Sequence, residues 1–186
     1  MPPKPRITRQ MILDAAFALV RTEGHEALTA RRLAAALGCS TQPILYQFES
    51  IDQLASLTYA RADEYHTAFL MEGLEAEDEP MLCLGLRYIR FGAEERPLFR
   101  FLFQSGRFSG KSPEELTHAP EAAPLVGVLS ASAGLDEGRA AELFTALFAA
   151  VHGYASLLAN NAMRYDPEAA AAMLTGLFDA LIQKER

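Results

Sequence analysis

Apolar residues recur every three or four positions along most of this chain, the period of an α-helix rather than of a strand. Ile12, Ala15, Ala16, Leu19 and Val20 mark a first helix that runs up to Gly24. Thr29 is a good N-cap for a second, Thr29 to Leu37, with Leu33, Ala34 and Leu37 on one face. Gly38 ends it, because glycine tolerates the left-handed conformation that follows a helix. A third short helix is predicted over about Thr41 to Phe48, with Leu45 and Phe48 turned inward. Its Pro43 is acceptable because the first turn needs no donated N–H. Ser50 with Gln53 reads as a capping box that opens a long fourth helix reaching about Glu75.

The acidic run Glu75–Glu79 with Pro80 breaks the pattern. Further helices are predicted over Met81 to Glu95, from Pro97 through Leu98, Phe101 and Leu102, and, as short pieces, around Pro113–Thr117 and Glu121–Ala133. Asp136 to Asn161 and Pro167 to Lys184 close the chain as two longer ones. Ser105 to Pro113 reads as the longest loop, and no internal repeat is present. Composition agrees: 32 Ala and 26 Leu stand against 4 Val and 6 Ile, so the residues that favour strands are scarce. The fold class is all-α. A chain of 186 residues buries roughly 70% of its unfolded surface, enough to hold without disulfides or metals.

Several classes drop out. Cys39 and Cys83 are isolated, which excludes a disulfide framework and any zinc-type spacing and suits a reducing, cytoplasmic setting. No cofactor and no metal is expected. The segment 1–6, with three prolines, reads as a flexible arm and lacks the apolar core of a secretory signal. Leu143 to Met163 contains no Asp, Glu, Lys or Arg, yet it holds His152, Asn160 and Asn161, which suit a buried soluble helix better than lipid. No membrane is expected as a partner. The net charge of −7 divides unevenly: residues 1–50 carry +2 and residues 51–186 carry −9. That asymmetry describes a basic head, residues 1–50, on an acidic body, residues 51–186.

The head carries the chemistry. Two short helices joined by Gly38-Cys39-Ser40 have the length and turn glycine of a helix-turn-helix. In that motif the second helix enters the major groove of double-stranded DNA. Its exposed candidates are Ser40, Thr41, Gln42, Tyr46 and Gln47. A glutamine amide pairs with adenine through two hydrogen bonds, worth about 1–3 kcal/mol of discrimination. Arg31, Arg32, Lys4 and Arg6 are placed to meet phosphates, which position without specifying. On spacing alone, a generic three-helix bundle with exposed polar residues fits as well.

From about Arg6 to Leu54 the sequence resembles the DNA-binding head of the TetR (tetracycline-repressor-like) family of bacterial regulators. The resemblance is carried by Gly24, Leu28-Thr29, Arg31, Leu33-Ala34, Leu37-Gly38, Ser40, Leu45-Tyr46 and Phe48. It implies DNA contacts at Thr29, Arg31, Ser40, Thr41, Gln42, Tyr46 and Gln47. Two positions depart from the family pattern: Ile51 stands where a lysine is usual, and Gln47 where a histidine commonly precedes the phenylalanine. The resemblance also implies that the remaining helices bind a small effector and form a two-fold homodimer. Residues 97–103 and 151–155 are similar to a subgroup named for a Trp-His-Gly motif, although the chain contains no tryptophan.

The body's own residues give a coarser reading. Tyr88, Phe91, Phe99, Phe103, Phe144 and Phe148 make an aromatic middle, with His152 inside the long uncharged helix. They read either as ordinary core or as the lining of an apolar site for a hydrophobic effector. Gly153, Ala155, Ala169, Ala170 and Gly176 allow close packing against a twin, and Leu157, Leu158, Met173, Leu177 and Leu181 are the candidates for an isologous seam. The combined reading is a dimeric DNA-binding transcriptional regulator, a repressor released from a palindromic operator by a small effector, and not an enzyme. Two alternatives stay open: a helical carrier or enzyme, and a protein-interaction module that has lost DNA binding.

Overall fold

The computed structural model describes residues 7–106, 112, 115, 117–119, 122–161 and 163–183. The arm 1–6 with Lys4 and Arg6, most of the predicted 105–113 loop and most of the predicted 113–117 helix lie outside them. Among the described residues there are nine α-helices and no strand, so the all-α expectation holds.

Contacts within the chain sort it into two compact units: Met1–Thr67 with Glu95–Arg107, and Ala68–Glu94 with Phe108–Arg186. The segment expected as the head, residues 1–50, lies within the first unit, which also takes in most of a fourth helix and a sixth.

In the first unit, α1 (Arg9–Glu23) starts at Thr8, whose hydroxyl accepts from the Met11 N–H, and buries Ile12, Ala16 and Val20 along one stripe. A 3-10 turn (His25–Ala27) leads into α2 (Ala30–Leu37). The Thr29 hydroxyl accepts from the Arg32 N–H at 3.3 Å, as its N-cap role requires. Gly38 takes a left-handed conformation, φ 61°, which lets the Cys39 N–H return to the Ala34 carbonyl and close the helix end. Next come α3 (Gln42–Gln47) and α4 (Ile51–Met71), the latter capped by Ser50, whose Oγ accepts from the Gln53 N–H at 3.0 Å. The fourth helix therefore ends short of Glu75, because Gly73 turns left-handed and starts a second 3-10 turn (Leu74–Ala76).

The sixth helix, α6 (Arg96–Phe103), buries Leu98, Phe99, Phe101 and Leu102 in this unit and packs on α1. Glu95, just before it, is gripped by two helices. Arg21 of α1 donates from Nε to both carboxylate oxygens, and the Tyr65 hydroxyl of α4 donates to Oε1 at 3.0 Å. Arg21 also lies over the Tyr65 ring, 4.8 Å from its centroid. Arg61 of α4 pairs with Asp14 of α1 and covers the Phe17 ring.

The second unit consists of the last turn of α4, α5 (Pro80–Glu94), α7 (Ala123–Ala133), α8 (Glu137–Asn161) and α9 (Pro167–Gln183). Its main seam is α5 against α8. Gly92 permits the approach: a Cβ there would meet the Ala155 Cβ and carbonyl oxygen at 2.8 Å. A second cluster of Leu129, Leu143 and Phe144 gathers Leu135, Leu147, Phe178, Leu181 and Ile182 around it. Asp136 and Asp166 cap α8 and α9 by accepting from backbone N–H groups of the first turns.

The expectation that 143–163 is simply buried needs correction. The 18-residue window of α8 that is most apolar is only 28% buried within the chain, and by length and composition alone it would pass for a membrane span. One face, with Val151, Ala155, Leu158 and Ala159, is covered; the opposite one, with Ala146, Ala149, Gly153 and Leu157, is exposed.

Candidate nucleic-acid interface

The short α3 owes its orientation to Ile44 and Phe48, which are four positions apart on one face and 2% and 5% exposed. The sequence expectation put Leu45 inward with Phe48; the structure corrects this, with Leu45 63% exposed. Leu45 and Ile44 both lie at helical spacing from Phe48, and only one of them can face the core. Ile44 takes that place, so Leu45 turns outward by about 100°.

The C-terminal end of α3 is tied down by the start of the chain's first helix. Arg9 lies over the Phe48 ring, 4.3 Å from its centroid, and donates from a guanidinium nitrogen to the Gln47 carbonyl at 2.5 Å. The Gln47 side chain donates from Nε2 to the Ile7 carbonyl at 3.3 Å. Gln47 is thus half-buried and engaged within the head, and sequence reasoning missed Arg9, because its partner Gln47 lies 38 residues along the chain and Phe48 next to it.

The remaining candidates stand outward. Ser40, Thr41, Gln42 and Tyr46 are exposed, Tyr46 at 88%. Thr41 makes no side-chain cap on α3, so its hydroxyl is not spent on the helix end. Gln42 precedes Leu45 by three residues and Tyr46 by four, so the three share one outward surface. Arg31 is exposed at the start of α2. Arg32 beside it pairs with Glu23, and the Thr29 hydroxyl, although it accepts the Arg32 N–H, keeps its own hydrogen to donate.

In the second unit the structure brings together four of the seven aromatic-site candidates. The Tyr88 hydroxyl and His152 Nδ1 lie 2.9 Å apart in a hydrogen bond, with the Phe148 ring 5.9 Å from Tyr88 and 5.7 Å from His152. Phe144 extends the row, 6.3 Å from Phe148. Burial pushes the His152 imidazole below its ordinary value, which favours the neutral ring. The other three have these described neighbours. Phe91 is fully buried against Phe69, an edge-on pair at 5.3 Å. Phe99 and Phe103 sit in α6 and pack on each other, 4.9 Å apart, with Phe103 against His66, all in the first unit. Sequence spacing could not separate α6 from the body, because α6 is joined to α5 with no linker of distinct composition.

The seam candidates also divide. Leu157 is 53% exposed, whereas Leu158 is 2% exposed and used up inside its own chain. This corrects the expectation for Leu158: it falls on the α5-facing side of α8, one position round from Leu157. Met173, Leu177 and Leu181 are half-buried, and Leu181 packs on the Leu129, Leu143 and Phe144 cluster.

No curated protein matches this chain. Two family models do. Residues 12–56 match the one described as bacterial regulatory proteins, tetR family, and residues 81–181, more than half of the chain, match the tetracyclin repressor-like C-terminal domain. That description names no Trp-His-Gly subgroup. The first match spans α1 to the start of α4 and so encloses the outward surface of α3; the second runs from α5 into α9. The chain belongs to the tetR family of bacterial regulatory proteins.

Proposed function

We propose that this regulator is a cytoplasmic repressor that binds a palindromic DNA operator as a homodimer and leaves it when a small hydrophobic effector binds the second unit. The observation that carries the reading is the outward presentation of Thr41, Gln42 and Tyr46 on a helix whose other face is locked by Ile44 and Phe48. A recognition helix must be held rigidly while its reading side chains stay uncommitted, and α3 meets both conditions. Ser40, Thr29 and Arg31 supply phosphate or edge contacts beside it. Gln47 contributes by holding the helix, and Arg32 contacts phosphate only by sharing or leaving Glu23.

Two copies would present two such helices to half-sites about one helical turn, roughly 34–36 Å, or a multiple apart. The bare stripe of α8 with Leu157, and the exposed Ala169, Ala172 and Gly176 of α9, supports a seam between copies: an apolar surface of this length favours cover. Tyr88, Phe144, Phe148 and His152 are the proposed effector contacts, three rings and one neutral hydrogen-bonding pair. Switching requires that the effector bind one state of the dimer more tightly than the other.

Selection of bound sequences from a random DNA pool tests the reading directly. A palindromic consensus, steeply weaker binding with added salt, and relaxed preference in Gln42→Ala and Thr41→Ala are the expected results. An unchanged consensus and affinity in both variants refutes the assigned readout.

A further inference from the structure

The outward surface of α3 carries an apolar side chain with no place in the chain's own core. Leu45 is 63% exposed, and the core position its spacing would allow is filled by Ile44. Its surface neighbours are Gln42, three residues before it, and Tyr46. The surrounding sequence narrows what such a surface reads. From Leu33 to Phe48 the chain contains no Lys or Arg, the side chains that most commonly contact guanine in the major groove. What remains on the outward surface of α3 is Gln42, whose amide matches the N6 and N7 edge of adenine, Tyr46, whose hydroxyl donates or accepts, and Leu45, which offers only apolar contact. Thymine is the base that presents an apolar group in that groove, its C5-methyl.

We propose that Leu45 is a specificity-determining residue that packs on a thymine methyl group, in the A·T pair met by Gln42 or in the pair beside it. The inference rests on the DNA-binding reading above and deepens it. It makes α3 a reader of A·T steps through neutral polar and apolar contacts, with no charged side chain among the base contacts that α3 itself makes. A leucine at this place gains from the methyl group what it cannot gain from any other base edge, so the contact discriminates by burial rather than by hydrogen bonding.

The test uses the full chain and the half-site obtained by selection from a random DNA pool. Each thymine is replaced singly by deoxyuridine, which removes the methyl group and nothing else. The wild-type protein is expected to lose about fourfold in affinity per half-site at one thymine, the amount that burial of one methyl-sized group supports. Leu45→Ala is expected to lose that sensitivity at the same thymine while keeping its melting temperature, since the side chain is exposed. The assignment is overturned if no thymine methyl matters to the wild-type protein, or if Leu45→Ala remains equally sensitive. It is also overturned by a selected half-site with no A·T pair under α3, which leaves the DNA-binding reading intact. Failure to select any sequence overturns both.

Discussion

Replacing a mid-helix glycine by alanine ordinarily strengthens a helix by up to about 1 kcal/mol. At Gly92 the sign should reverse. A Cβ built there lies 2.8 Å from both the Ala155 Cβ and the Ala155 carbonyl oxygen, and 3.0 Å from its Cα. Two of those three atoms are backbone of α8, so no rotamer change relieves the contact. Restoring an ordinary separation of roughly 3.5–4.0 Å would push the helices apart by about 1 Å along the seam that organises the second unit. Overpacking of this kind costs about 1–3 kcal/mol, and the helix-propensity gain offsets part of it, leaving a net loss of about 1–2 kcal/mol. For a chain of this size that is a fall in melting temperature of about 2–8 °C. Gly127 of α7 is the matched control, because a Cβ there meets nothing within 4 Å. Gly127→Ala should gain about 0.5–1 kcal/mol. Both are read from urea denaturation followed by helical circular dichroism. A Gly92→Ala midpoint at or above that of the wild-type protein refutes the close approach of α5 and α8.

Three further outcomes follow from particular contacts. Burial pushes the His66 imidazole down to about 4 from an ordinary 6.5. Between those values the unfolded chain takes up a proton that the folded one refuses. Stability is therefore full above about pH 6.5 and declines by about 3 kcal/mol toward pH 4. His66→Gln should flatten most of that decline in urea midpoints measured across the same range, and parallel slopes in both proteins count against it. Thr29→Ala removes the α2 cap and should cost about 1 kcal/mol, with Thr29→Ser close to wild type; equal losses in the two variants rule out the hydroxyl as the cause. Tyr88→Phe removes the hydrogen bond to His152 and should also cost about 1 kcal/mol by thermal denaturation, with no loss of helix content; an unchanged midpoint shows that the pair contributes nothing to stability.

The helices were legible because each carries its own punctuation. Thr29, Gly38, Ser50 and Pro167 state where elements begin or end, and all four act in the structure as their chemistry requires. The head's outward residues were legible for the same local reason. What escaped was set by contacts between distant segments. Nothing near Leu45 says that Ile44 wins the core place. Nothing near Gln47 says that its amide reaches Ile7, forty residues earlier. The aromatic set was read as one group from hydropathy, which has no term for partner choice, whereas α6 carries Phe99 and Phe103 into the other unit. Leu158 and Leu157 differ by one position and face opposite environments, a distinction that apolar periodicity alone leaves open on a helix with so few charges.

The grip on Glu95 has a consequence for anyone dividing this protein. The chain enters the second unit at Ala68, returns to the first at Glu95, and leaves it again after residue 107. A fragment cut after α4 would keep every residue proposed to face DNA and still lose Leu98, Phe99, Phe101 and Leu102, along with the carboxylate that Arg21 and Tyr65 hold. The head is therefore not a cassette. A chimera that transplants operator choice to another regulator should carry the α6 segment with it, or confine the exchange to the outward side chains of α3.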